Sequence, residues 1–119
     1  MWATNEKRNW IDAESFYQKK EGHLVSVTSK SVQAYMLNIV GHNKVWIEAR
    51  FQESEGSWKW SDFSPFEFEA WAPGEPSEKE EESCVELYNA GVEYRGWNNL
   101  DCGATLNFTC AKHILPGIN

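Results

Sequence analysis

A chain of 119 residues, 41% hydrophobic and 14% aromatic, is long enough to close one core and too aromatic for a disordered, collagenous or coiled-coil polypeptide. Eighteen acidic against eleven basic side chains give a formal charge of -7, which argues against nucleic acid as a partner. No apolar run nears the ~20 residues of a membrane span, and Met1-Trp2-Ala3-Thr4 lacks the basic and apolar regions of a signal peptide, so a single domain over residues 1–119 is expected, in a mature, recombinant or cytosolic chain.

In chain order, residues 9–21 predict a helix. Trp10, Ala13, Phe16 and Tyr17 share one face, Asn9 caps the start, Asp12 and Lys19-Lys20 suit the dipole, and Gly22 stops it. His23–Val27 predicts a short strand. Thr28–Ser31 offers caps for a second helix with a face of Val32, Tyr35, Met36, Ile39 and Val40, closed by Gly41. Val45–Ala49 and Ser57–Trp60 predict strands joined through a Glu55-Gly56 turn. Residues 61–83 hold three of the four prolines and no period, and Phe63, Phe66, Phe68 and Trp71 predict that this long loop is ordered and packed. Cys84–Tyr88, Val92–Trp97 and Phe108–His113 predict three more strands. Two helices followed by antiparallel strands around a long loop make an α+β layout.

Catalytic and metal motifs are sparse. There is no C-x-x-C, and His23, His42 and His113 have neither a nearby nucleophile nor metal-ligand spacing, so no enzyme is expected. The run Glu78–Glu82 predicts a solvated, self-repelling loop tip. Trp58, Trp60, Trp71 and Trp97 predict core packing rather than a stacking platform. Asn107-Phe108-Thr109 is a glycosylation acceptor if the chain is secreted.

The motifs nevertheless fall into one order. Trp10-x-x-Ala13 and Gly22-His23-Leu24-Val25-Ser26 are followed by Trp46-Ile47-Glu48-Ala49 and Gly56-x-Trp58-x-Trp60-Ser61-Asp62. Then come Trp71-x-x-Gly74-Glu75-Pro76, Cys84-Val85-Glu86, Trp97-Asn98-Asn99 with Cys102, and Phe108-Thr109-Cys110. Over roughly residues 10–112 this set resembles the C-type lectin-like domain, an α+β fold of two helices packed on antiparallel strands. The resemblance implies a secreted, non-catalytic recognition module whose ligand, carbohydrate or protein, sits at residues 61–83 with 97–99.

In sugar-binding members of that family, a calcium ion is held by a Glu-Pro-Asn triplet, a Glu two residues before the next Cys, and a Trp-Asn-Asp. Glu75, Glu82 and Asn98 match these positions, whereas Ser77 replaces the amide and Asn99 the carboxylate. One charge and one long oxygen arm are lost, so the resemblance implies a weak or lost calcium site. Ser83 likewise stands where many members carry an Asp for a second calcium. Glu75 before Pro76 implies a mannose-type sugar. The alternatives are a calcium-independent protein- or ice-binding domain, or a ligand-free scaffold.

Other departures mark a diverged, degenerate or engineered member. Tyr17 stands where the family has a cysteine whose partner matches Cys110, so the resemblance implies a Cys84–Cys102 bridge and leaves Cys110 a free thiol or a link to a second copy. Losing a bridge over ~90 residues removes ~4–5 kcal/mol of unfolded-state constraint, against ~3 for the shorter bridge retained. Tyr17 itself is the expected compensation, packed on the aromatic core. Glu48 replaces a family glycine, and the hairpin before the first helix is shortened to Met1–Arg8.

Overall fold

The structure is a computed structural model describing residues 7–41, 43–77, 83–91 and 95–108. Helix α1 covers Trp10–Gln18, and the Asn9 side chain accepts the Asp12 N–H at 2.8 Å. It buries Trp10, Ala13, Glu14 and Tyr17, the i, i+3, i+4, i+7 stripe of one helical face. It ends earlier than its charge pattern suggests. Glu21, not the expected Gly22, takes the left-handed conformation (φ 60°), and the Gly22 N–H returns to the Tyr17 carbonyl at 2.8 Å.

The strand expected at His23–Val27 does not form a ladder. It is extended backbone with an isolated bridge at Leu24 and one bond from the Glu48 N–H to the Val25 carbonyl at 2.9 Å. Its apolar signal reflects burial, since Leu24, Val25 and Val27 are inaccessible. Helix α2 covers Lys30–Val40, with Ser29 capping Val32 N–H and Gly41 at φ 58°. Val32, Met36 and Val40 face the core as expected. Tyr35 does not: it is 44% exposed, and Gln33 is buried in its stead.

Strands β1 (Val45–Gln52), β2 (Ser57–Trp60), β3 (Cys84–Asn89) and β4 (Arg95–Leu100) form an antiparallel sheet in the order β2-β1-β3-β4. β4 is displaced from the expected Val92–Trp97 and runs on to Leu100, because its register pairs Cys84 with Leu100 and Asn89 with Arg95. Val92–Tyr94 lie outside the described residues, as does the expected last strand beyond Phe108. Arg8 and Leu106 exchange backbone bonds at 3.0 and 2.9 Å, so the segment before α1 closes against the segment after β4.

β1 explains the core. Side chains alternate across a strand, so odd and even positions meet different helices. Val45, Ile47 and Ala49 join Val85, Leu87, Trp97 and the α2 stripe. Trp46 joins Trp10, Ala13 and Tyr17 of α1, with Leu24, Cys84, Leu106 and Phe108. Tyr17 is 1% exposed, and its ring centroid is 5.8 Å from that of Phe108. An aromatic contact of this kind adds about 0.5–1.5 kcal/mol beyond area burial. Cys84 and Cys102 are disulfide-bonded, pinning β3 to the segment after β4. Cys110 lies outside the described residues.

Candidate functional site

The long loop has no helix or strand between Ser61 and Ser77, and Trp97 organises it. The buried Trp97 ring has Trp60 at 5.3 Å, Trp71 at 5.5 Å, and Phe66 and Phe68 each at 6.0 Å, centroid to centroid. Its indole N–H donates to the Gln33 Oε1 of α2 at 2.9 Å. Backbone bonds from Trp97 N to Ala70 O and from Ala72 N to Trp97 O, both 2.9 Å, lay the loop along β4. Gly96 permits this approach. Its φ is 133°, and a Cβ there would stand 2.5 Å from the Ala70 carbonyl oxygen.

Three of the four loop aromatics pack as expected. Phe63 does not: it is 95% exposed, with φ 69°, a conformation costly for a bulky residue. It borders an open groove of about 710 Å³ lined also by Trp58, Trp60, Pro65, Phe66 and Glu69. Trp60 and Trp97 are buried as expected, whereas Trp58 and Trp71 are partly exposed.

Pinning residues 70–72 to Trp97 is accompanied by a contact of Ser77 with Asn99 near the end of β4. The Glu75–Pro76 peptide is cis. Ser77 N–H donates to the Asn99 Oδ1 at 2.8 Å, and Asn99 Nδ2 donates back to the Ser77 carbonyl at 3.0 Å. Asn99 is 2% exposed. Its strand neighbour Asn98 donates through Nδ2 to Glu86 Oε2 at 2.7 Å, directly across the β3–β4 pair. Glu82 lies outside the described residues, as does the rest of the Glu78–Glu82 run.

Calcium takes six to eight oxygens. Among the described candidates the loop and β4 offer the Glu75 carboxylate and the Asn98 carbonyl, while the Asn99 oxygen is held by a backbone N–H. The two substituted positions are tied to each other through the Asn99 side-chain amide and the Ser77 backbone. With Glu82 outside the described residues, those that are described offer fewer oxygens than a calcium ion takes.

A second polar cluster lies on the α1 face of β1. Glu48 alternates with the apolar odd positions and so points where Trp46 points. It is fully buried and meets Glu14 of α1 and His23. His23 Nδ1 is 2.7 Å from Glu14 Oε2 and 2.9 Å from Glu48 Oε2. Gln18 Nε2 and the Leu24 N–H also donate to Glu14, at 3.0 and 3.1 Å. Burial pushes the Glu48 carboxyl up to about 11, with the contact and charge of Glu14 and the charge of Asp62 adding to it. Burial also acts to raise Glu14, but hydrogen bonds from Glu48, Gln18, His23 and Leu24 outweigh it and hold Glu14 below its ordinary value. The two carboxyls thus divide into one acid and one carboxylate. Sequence spacing gave His23 no ligand neighbours, because its partners are 9 and 25 positions away on α1 and β1. The available signal was a lone Glu inside a five-residue strand that is otherwise apolar.

Comparison with known proteins agrees with this architecture. The family model for the lectin C-type domain matches residues 6–112. A "C-type lectin mannose-binding isoform" of Oxyuranus scutellatus is 37% identical over 114 residues, covering 89% of this chain and 72% of the relative. The human "C-type lectin domain family 4 member K" is 32% identical, and there the match covers 92% of this chain but only 34% of the relative. Among solved structures, the carbohydrate-recognition domain of mouse scavenger receptor C-type lectin superposes with TM-score 0.78 and 33% identity, covering 90% of this chain and 82% of that one. A calcium-independent type II antifreeze protein superposes with TM-score 0.78 and 30% identity, covering 88% and 78%.

Proposed function

Because the chain belongs to the lectin C-type domain family, we propose that it is a non-catalytic recognition module that takes a mannose-type carbohydrate at the end of β4 and the adjoining loop, with a calcium contribution that is weak. The observation carrying this reading is the reciprocal pair of hydrogen bonds between Asn99 and Ser77. A bound cation would otherwise be the group that ties the loop to β4. Here those two hydrogen bonds, added to the backbone bonds of Trp97 with Ala70 and Ala72, do so, and order the loop in advance.

The Glu75 carboxylate and the Asn98 carbonyl accept hydrogen bonds from neighbouring sugar hydroxyls, which a rigid site holds at fixed spacing. Contacts of this kind are modest, about 0.5–1.5 kcal/mol each or up to ~3 to a charged group. Affinity for a single sugar is therefore low. A mannose-binding relative at 37% identity supports the sugar class. The Cys84–Cys102 disulfide supports an extracellular setting, where such bonds persist. With those two cysteines joined, Cys110 is assigned as a thiol without an internal partner.

A calcium-independent ligand is the second reading, favoured by the same Asn99–Ser77 pair and by the antifreeze neighbour described as calcium-independent. Retention of the chain on a mannose matrix separates the two. Weak retention that Glu75→Gln abolishes, and that a chelator only lowers, supports the sugar reading. Absence of retention with and without calcium, in a folded chain, contradicts it.

A further inference from the structure

We propose that Glu14, His23 and Glu48 form a binding site for a divalent transition ion of the zinc class, separate from the long-loop site. One ligand atom from each residue, the two carboxylate oxygens and the imidazole Nδ1, lies within 4.8 Å of the others. Three elements supply them: α1, the extended segment after it, and β1. The disposition is therefore fixed by the fold rather than by one flexible loop.

Two observations point to a ligand. Glu48 is 0% exposed, and its oxygens make no well-formed hydrogen bond among the described residues, their nearest possible donor being the shared His23 Nδ1 at 2.9 Å. One ring nitrogen carries at most one hydrogen, so Nδ1 cannot satisfy both carboxyls it touches, and Glu14 takes Gln18 and Leu24 besides, leaving Glu48 the poorly served member of the cluster. Second, apart from His23, the described surroundings supply no cation. Asp62, whose charge also acts on Glu48, is occupied by the Ser26 hydroxyl at 2.6 Å and the Ser64 N–H at 3.0 Å. No lysine or arginine pairs with Glu14, Glu48 or Asp62 among the described residues. An unpaired carboxyl buried among carboxylates is expensive unless a proton or a metal ion compensates it.

The donor set selects the metal. One imidazole nitrogen with two carboxylate oxygens suits zinc, which is satisfied by four ligands at about 2.0–2.2 Å. Calcium would need six to eight oxygens and gains little from nitrogen. The imidazole would present its Nδ1 lone pair and carry its hydrogen on Nε2. The present contacts of 2.7 and 2.9 Å are hydrogen-bond distances, so the three side chains part by about half an ångström when an ion replaces the hydrogen. The His23 side chain is 43% exposed, which gives an entry path and room for water as fourth ligand.

The test is calorimetric titration of the folded chain with zinc chloride after its thiol has been alkylated, since thiolate is itself a zinc ligand. One zinc per chain is expected, undisturbed by 10 mM calcium, with X-ray absorption showing one imidazole bound. Glu48→Gln and His23→Gln should each weaken binding by more than about tenfold, the least that loss of even an outer partner of a metal ligand costs. Glu48→Gln keeps the shape of the neutral acid, and His23 is partly exposed, so both variants are expected to fold. Absence of zinc binding, binding that both variants retain, or displacement by calcium would overturn the proposal.

Discussion

Asn99 and Ser77 hold each other by both ends of one amide: the Asn99 oxygen accepts the Ser77 N–H at 2.8 Å, and its nitrogen donates to the Ser77 carbonyl at 3.0 Å. One buried side chain on β4 thereby fixes the backbone of the long loop at the position where the family resemblance calls for a calcium ligand.

Changing Asn99 to Asp removes the donor half of this pair and buries a charge. Asn99→Asp should cost about 1–3 kcal/mol in calcium-free buffer, the range for a buried group left unsatisfied. With Ser77→Asn added, millimolar calcium should recover much of that loss. Thermal melts of the double variant with and without calcium check this. Equal melting temperatures in both buffers would mean that loop backbone, not ligand identity, disables the site.

Gln33 is the buried partner of the Trp97 indole. Gln33→Leu keeps the bulk and orphans the N–H, so a loss of about 1–3 kcal/mol is expected in urea unfolding. Trp97 carries the loop, and its fluorescence should shift as well. An unchanged midpoint and spectrum would place the loop's anchor elsewhere.

Gly96 admits the loop backbone. Gly96→Ala forces a Cβ to 2.5 Å from Ala70 O and 2.9 Å from Ala72 N, at a φ that disfavours side chains. The expected result is a loss above about 2 kcal/mol, with faster hydrogen exchange at the Ala72 and Trp97 amides. A variant as stable as the parent, with both amides still protected, contradicts the described seat of the loop.

The pH dependence follows from the Glu14–Glu48 division, with His23 and Asp62 the other titratable groups facing it. Glu48 is raised in the folded chain to about 11 from an ordinary 4.5, so above pH 4.5 the unfolded chain ionises it while the folded chain keeps its proton. Stability then falls as pH rises, by up to about 1.4 kcal/mol per unit. Glu14 is lowered, so its contribution is present above its ordinary value and lost as pH falls through its folded value. Maximum stability should lie near pH 5. Denaturation in a chelating buffer should show a decline from pH 5 to 8 that Glu48→Gln removes. The same decline in Glu48→Gln would assign it to another group.

Much of this was legible in the residues. The α1 and α2 stripes and β2 to the residue follow from local period and punctuation, whereas the Cys84–Cys102 bridge was legible only through the family resemblance. What failed depended on partners distant in sequence. His23–Val27 is apolar because two cores meet there, and apolarity alone does not distinguish such a segment from a strand. Tyr35 and Gln33 exchange roles because Trp97, 64 positions from Gln33, needs an acceptor. Phe63 looked like packing because three neighbouring aromatics do pack. The long-loop residues were legible by resemblance, but Asn99 and Ser77 binding each other was not, since either change alone looks only like a weaker ligand.

The most direct test of the central claim, a loop held by Asn99 and Ser77 with little calcium, is a calcium titration read by thermal melting. A ligand that binds only the folded state adds RT ln(1 + [L]/Kd), about 0.4 kcal/mol at 1 mM calcium for a millimolar Kd. For a domain of this size that is a rise of roughly 2 °C. A rise of about 2 °C or less at 1 mM calcium is the predicted result. A rise of ten degrees or so would contradict it and restore a tight calcium site to the loop.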